Sequence, residues 1–178
     1  DTWNIDSDVV VIGSGAGGAV AAAELSGQGF KVVLLEEGSF FNASTFTADE
    51  YESVRRMYRD GGAIAEEEGR ISILQGRTLG GSTTVNWQAS LYPPAFVTEV
   101  WEKKFGLTGY DVASMRPYID AVNKRINVHP VPAKLVNQNN AVLKKGSKIL
   151  GLKTEVLQNN SVNCIGLGRC GNGCPINA

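Results

Sequence analysis

The chain has 178 residues, 43% of them hydrophobic and 20% charged, with a formal net charge of −1. This ordinary globular composition can bury a full core in one domain or two, and it carries no basic footprint for nucleic acid or an anionic membrane. No apolar run reaches the ~18–20 residues of a membrane span, no secretory signal is present, and the first residue, Asp1, reads as a processed, trimmed or renumbered start.

A polar lead-in over Asp1–Asp6 is followed by the stretch that organises the rest, SDVVVIGSGAGGAVAAAELSGQGFKVVLLEEG over residues 7–38. Asp8–Ile12, continuous in Val and Ile, predicts a parallel strand buried on both faces. Gly13, Gly15 and Gly18 then stand in G-x-G-x-x-G spacing, and a small-residue helix runs from Gly17 to about Gly27, closed by Gly27 and Gly29. Lys31–Glu36 predicts the second strand. Strand, glycine turn, helix and strand with an acid at the tip form an α/β unit that binds the ADP part of a dinucleotide. Gly13 permits the sharp turn, Gly15 lets backbone approach the pyrophosphate, and Gly18 lets the helix pack on the sheet. The pyrophosphate would lie at the helix N-terminus, where N–H groups and the helix dipole favour an anion. Glu36 lies 18 residues after Gly18, close to the ~20 expected of the acid that accepts from ribose hydroxyls. Glu37 is the alternative ribose ligand, pointing to the other face of the strand.

Phe40 to about Ala48 reads as loop and Asp49–Arg59 as a charged helix, with Tyr51, Val54, Met57 and Tyr58 as its apolar positions and Gly61-Gly62 at its end. Ile71–Leu74 predicts a short strand. Gly76–Pro94, GRTLGGSTTVNWQASLYPP, has no helical or strand periodicity. Its glycines, Ser82, Thr83, Thr84 and Asn86 suit a loop lying along a flat polar ligand, and Trp87, Leu91 and Tyr92 are expected to be at least partly buried. Phe96–Phe105 predicts a short helix. Asp111–Asn127 is the clearest amphipathic helix, with Val112, Met115, Ile119, Val122 and Ile126 on its core face and Pro117 expected to kink or break it. Asn137–Leu150 predicts a helix capped by Asn137, and Thr154–Leu157 a short strand. His129 is the one histidine; no motif surrounds it, and it reads as a structural or surface residue.

Cys164, Cys170 and Cys174 lie in C-x5-C-x3-C spacing among glycines near the end. This is no disulfide framework. The residues fit glycine-packed thiols, or one disulfide with a thiol left over; the spacing is not a usual zinc pattern, and a cluster would need either three irons or a fourth ligand from elsewhere.

With both glycine loops in view, the chain resembles the FAD-dependent glucose–methanol–choline (GMC) oxidoreductases. The resemblance spans residues 7–178. It is carried by the strand–GSGAGG–helix start, the VVLLEEG strand end, and Gly76-Arg77-x-Leu79-Gly80-Gly81-Ser82-Thr83-x-Val85-Asn86, which is similar to the first signature of that family. Ser90 departs from that signature, which usually carries an aromatic residue or Ala there. GGSTTVNW and the Cys/Gly-rich loop with its CP-x-x-A ending look most like the long-chain fatty alcohol oxidases and related bacterial dehydrogenases.

The resemblance implies a Rossmann-like FAD-binding fold, the N-terminal part of a larger two-domain flavoprotein. Residues 1–95 would be the FAD-binding region, with the dinucleotide unit at 7–38 and a flavin-contacting loop at 76–94. Residues 96–178 would lead toward the rest of the FAD and substrate domains. Gly13, Gly15, Ala16, Gly17, Gly18 and Glu36, with Glu37 as the alternative acid, would hold the ADP half of FAD. Arg77, Gly80, Gly81, Ser82, Thr83 and Asn86 would run beside the ribityl chain and isoalloxazine ring. Some membrane-associated members hold an iron–sulfur cluster, for which Cys164, Cys170 and Cys174 are the candidates.

Members oxidise alcohols by hydride transfer to flavin. They use a His–His or His–Asn pair near the C-terminus, and nothing in this sequence matches that pair. The chain therefore looks like the N-terminal third of such an enzyme. Its expected partners are the remaining C-terminal portion, which a separate chain could supply, and an alcohol substrate. Alone it is expected to bind FAD poorly and to catalyse nothing. The competing readings are a non-catalytic FAD-binding or assembly module, and a lyase or photochemical relative on the same fold.

Overall fold

The computed structural model describes residues 4–178, so the start of the polar lead-in lies outside the described residues. Contacts divide the chain into two units: residues up to Trp87 together with Leu167–Asn177, and residues 88–166.

In the first unit β1 (Val9–Ile12) and β2 (Val32–Leu35) pair in parallel, with Val9 opposite Val32 and Ile12 opposite Leu35. The crossover is α1 (Ala16–Gly27). Gly18, Ala22 and Leu25, spaced four and three apart, are the half-buried side of this helix, and such small residues bring the helix axis close to the strands. The sequence reads β1 as buried on both faces; the structure corrects this. Val9 and Val11 are half-buried while Val10 and Ile12 are exposed, Ile12 to 86%. α1 covers one face of the pair, and among the described residues no second layer covers the other.

The rest of this unit packs around α2 and the second glycine loop. Asp49 caps α2 (Glu50–Met57) by accepting from the Glu52 N–H at 2.9 Å, as expected of an Asp N-cap. α2 buries Ser53 and Met57, leaving Tyr51 exposed. Tyr58 is extended and bridges Gly76 in an antiparallel sense, flanked by Arg59 N–H to Gln75 O at 2.8 Å and Arg77 N–H to Met57 O at 2.7 Å. A kinked turn over Arg59–Gly62, with Asp60 and Gly61 in the left-handed region, leads to β3 (Ile64–Ala65), antiparallel to β4 (Ser72–Ile73) inside the predicted Ile71–Leu74 segment. The second glycine loop closes on a 3₁₀ turn at Gly81–Thr83.

Met57, Tyr58 and Val85 form the buried core, packed by Phe41, Phe46 and Val54. Leu167–Asn177 returns onto this core. The Tyr58 hydroxyl lies 2.7 Å from Gly171 O and 3.2 Å from Val85 O, and burial pushes its pKa up, which keeps it a donor. Trp87, at the end of the loop, is 66% exposed, so the expected partial burial fails there.

In the second unit Leu91 is also exposed, at 73%. α3 (Ala95–Phe105) stops at Gly106, whose left-handed φ of 67° lets its own N–H donate to Glu102 O and the Leu107 N–H donate to Trp101 O. α4 (Val112–Arg125) begins at Asp111, which accepts from the Ala113 and Ser114 N–H groups. Of the kink or break expected at Pro117, the break does not occur: the helix runs through it. Pro117 lies in the second turn, where its missing N–H removes one bond, to Ala113 O. Val112, Met115 and Ile119 are half-buried, while Val122 and Ile126 are exposed.

Strand β5 (His129–Pro130) precedes α5 (Gln138–Ile149), which is capped by Asn137 accepting from Asn140 N–H at 2.8 Å. The final strand is β6 (Gln158–Asn159), antiparallel to β5, rather than Thr154–Leu157. Pairing starts where Val131 N–H meets Leu157 O, and β6 then gains a second neighbour through Ser90 N–H to Gln158 O. Residues 154–156 have no such neighbour in the sheet. Among the described residues no helix is long and apolar enough to cross a membrane.

Candidate functional site

The two glycine loops meet within the first unit. Gly15 is the N-cap of α1 and contributes no side-chain cap, and the first turn of the helix carries no acid. The opening N–H groups of the helix are therefore left for an external anion. A Cβ at Gly15 would meet nothing within 4 Å, whereas one at Gly81 would lie 2.9 Å from the Gly15 Cα. The two backbones touch along one edge and leave the other open. Gly81 also holds φ +55°, so both its conformation and the close approach favour glycine.

The open side is a cleft of about 880 Å³, within the range of cofactor pockets. Gly13, Gly15 and Ala16 line it from the first loop, Glu36 and Glu37 from the tip of β2, and Gly81, Ser82 and Thr83 from the second loop, with Arg59, Gln75 and Gly76 between. Those eight sequence-predicted residues are thus brought to one surface. Gly17 lies in the first turn of α1. Gly18 lies beneath the loop, where a Cβ would fall 1.9 Å from Gly13 O. Gly80, Arg77 and Asn86 do not line the cleft. Gly80 N–H donates into the first loop at 2.8 Å, Arg77 donates its N–H to Met57 O, and the Asn86 amide donates to Thr83 O at 2.7 Å.

The hydroxyls of the second loop act mainly on the loop itself. Ser82 Oγ accepts from Gly76 N–H at 3.0 Å, while Thr83 and Thr84 donate to the Gly80 and Leu79 carbonyls. Thr78, fully buried, donates toward Gly81 O at 3.1 Å. This network stiffens the loop and leaves the Ser82 O–H hydrogen for a ligand.

Sequence reasoning passed over Ser14, the variable position inside G-x-G. It is 4% exposed. Its Oγ donates to Glu36 Oε2 at 2.6 Å and accepts from Gly80 N–H at 2.8 Å, and its N–H also reaches Glu36 Oε2 at 2.8 Å. One hydroxyl joins the first loop, the strand-tip acid and the second loop. The available signal was a small hydroxyl residue between two obligatory glycines.

Glu36 accepts further from Gly38 N–H at 2.8 Å through Oε1. The Ser14 hydroxyl above all, then the Ser14 and Gly38 N–H groups, and more weakly the Arg59 charge, hold its carboxyl below the ordinary value of 4.5 against a small opposing effect of burial. The acid is therefore ionised near neutral pH, and its remaining lone pairs suit hydroxyl donors. Glu37, beside it at the strand tip, also lines the cleft and pairs its carboxylate with Arg59.

A lowered folded-state pKa contributes stability that is complete above the unfolded value and is lost as pH falls through the folded value. Acidification from about pH 7 to about pH 4 is therefore expected to lower the melting temperature more in the wild type than in Glu36→Gln. Parallel slopes in thermal melts across that range would refute this role for Glu36.

Cys170 and Cys174 belong to this unit and Cys164 to the other; all three are half-buried. Among the described residues no group of three or more His, Cys, Asp or Glu side chains is arranged to hold a metal ion. His129, in the second unit, places Nδ1 2.7 Å from Asn127 O.

Comparison with known proteins bears on this geometry. The family model described as GMC oxidoreductase matches residues 54–178, and the one described as FAD binding domain matches residues 8–49. A long-chain-alcohol oxidase of Arabidopsis thaliana is 36% identical over 178 residues, covering 100% of this chain and 24% of that protein. An uncharacterized GMC-type oxidoreductase of Mycobacterium tuberculosis is 34% identical over 177 residues, covering 97% and 28%. The chain thus spans about a quarter of the length of these relatives. A crystal structure of pyridoxine 4-oxidase from Mesorbium loti superposes with a TM-score of 0.65 at 18% identity, over 89% of this chain and 37% of that one. That likeness speaks to the fold alone.

Proposed function

The chain belongs to the GMC oxidoreductases, and from that premise we propose that it forms the FAD-binding portion of a flavoenzyme that oxidises an alcohol. The observation that carries the reading is the cleft, where an uncapped helix N-terminus, an ionised Glu36 and a second glycine loop converge.

The residues present fit the cofactor. The space where a Gly15 Cβ would stand is empty, so a pyrophosphate can approach the N–H groups of α1. Glu36 would accept from the ribose hydroxyls, and the Gly80–Thr83 turn would carry the ribityl and flavin part. FAD, when bound, supplies the hydride acceptor. This chain's own task would be to bind and orient: the helix N-terminus would compensate phosphate charge, and the second loop, stiffened by its own hydroxyl bonds, would position the flavin part.

The base that takes the proton from the alcohol would come from a portion of the enzyme outside this chain. That placement is supported by the share of the relatives' length covered, about a quarter. Later strands of the same enzyme would extend the β1–β2 pair and cover Val10 and Ile12. The substrate class follows the relatives named long-chain-alcohol oxidases.

The test is an anaerobic titration of the complete purified enzyme with a long-chain primary alcohol, after identifying its released cofactor by mass. One FAD per protein and bleaching of the flavin absorption on alcohol addition are expected. A colourless complete enzyme, or bound NAD, would overturn the reading. A yellow protein that does not bleach with any alcohol would favour a module that binds FAD without oxidising.

A further inference from the structure

We propose that the Glu37–Arg59 ion pair is a clamp that positions the adenosine end of the cleft, an inference that rests on the FAD reading above. Arg59 Nη2 donates to Glu37 Oε1 across 22 residues of sequence. Each partner is anchored at its own end. Glu37 follows Glu36, which Ser14 and Gly38 hold. Arg59 is fixed by its N–H bond to Gln75 O and by the neighbouring Tyr58–Gly76 bridge. The pair therefore ties the tip of β2 to the segment that enters the second glycine loop, and both residues line the cleft between them.

Stability alone is a poor explanation for this arrangement. The two side chains are 39% and 53% exposed, and pairs in that setting contribute little to folding. A contact that closes the rim of a cleft can still matter for binding, because it fixes the distance between two ligand-bearing segments before the ligand arrives.

The location is set by Glu36: its neighbour Glu37 and that residue's partner lie beside the acid that would take the ribose. Glu37 thus acts as a positioning residue.

The test uses the holoenzyme stripped of flavin and rebound with FAD, with ADP as competitor. Arg59→Glu and Glu37→Arg are each expected to raise the FAD and ADP dissociation constants about tenfold, and the double exchange to recover to within about threefold of wild type. The visible spectrum of bound flavin should stay unchanged in all three, since the clamp acts at the other end of the cofactor. Single variants that bind like wild type, or a double exchange no better than the singles, would overturn the proposal. So would parallel losses in apoprotein melting temperature and flavin spectrum, which mark a merely structural contact. A wild type that rebinds no FAD removes the cofactor reading itself, and the clamp with it.

Discussion

Replacing Gly18 by Ala is expected to destabilise the protein by about 2–3 kcal/mol or more and to weaken FAD retention roughly a hundredfold. The added Cβ would stand 1.9 Å from Gly13 O and 3.1 Å from Gly13 C, with Val11 Cγ1 at 3.3 Å behind. The nearest obstacles are backbone atoms. No rotamer change relieves them, and Gly13 is itself fixed in a turn at φ +91° with its N–H on Leu35 O at 2.7 Å. The first turn of α1 must lift from β1, and the N–H groups that would face the pyrophosphate move with it.

Gly17→Ala, one residue away, serves as control. Nothing lies within 4 Å of its Cβ position, and Ala at a helical position is favoured by about 1 kcal/mol over Gly. Thermal melts of the two apoproteins should therefore move in opposite directions. A Gly18→Ala protein that melts and holds flavin like wild type would remove Gly18 from the close-packing role.

The reach of the sequence follows from how local each signal is. The β1–α1–β2 unit, the helix starts at Asp49, Asp111 and Asn137, and the stop at Gly106 are set by neighbouring residues, and each lies within a residue or two of where its pattern places it. The burial of β1 could not be read in this way. A Val/Ile run reports what a strand can tolerate on both faces, whereas its actual cover depends on layers contributed by distant segments. Trp87 and Leu91 fail for the same reason, since apolar character near a loop does not name a partner to bury against. The strand shift to β6 depends on which backbone groups find acceptors across the sheet, a property of two segments at once.

At the site, the glycines announced themselves through spacing because each answers a local steric demand. Ser14 and Arg59 did not, because their importance lies in partners far away in sequence: Glu36 and Gly80 for Ser14, Glu37 for Arg59. Glu37 is a similar case: its position marks an acid at the strand end, but its partner Arg59 could only be seen in three dimensions.

Ser14→Ala carries the second large effect. The substitution leaves the Gly80 N–H without its acceptor at 2.8 Å and takes from the Glu36 carboxylate its shortest donor, at 2.6 Å. Ser14 is 4% exposed, so water cannot readily replace either contact. A buried donor left unmade and a lost charge-assisted bond together amount to about 2–3 kcal/mol. Much of that should appear in cofactor affinity, because the hydroxyl joins the two loops proposed to hold the cofactor.

Three readouts follow. FAD binding should weaken by one to two orders of magnitude, about the same free energy. Amide exchange at Gly80–Thr83 should speed up while that of β1 and β2 changes little. The carboxyl of Glu36 should return toward its ordinary value, since the Ser14 hydroxyl is the largest influence lowering it. The acid sensitivity that Glu36 confers should then shrink, because less stability separates its ionised and protonated forms. Ser14→Ala and Glu36→Gln should consequently be non-additive, with a coupling of about 1 kcal/mol or more in a double-mutant cycle. Strict additivity, with unchanged exchange in the second loop, would mean that the two loops are held together by their glycine contact alone and that the hydroxyl is incidental.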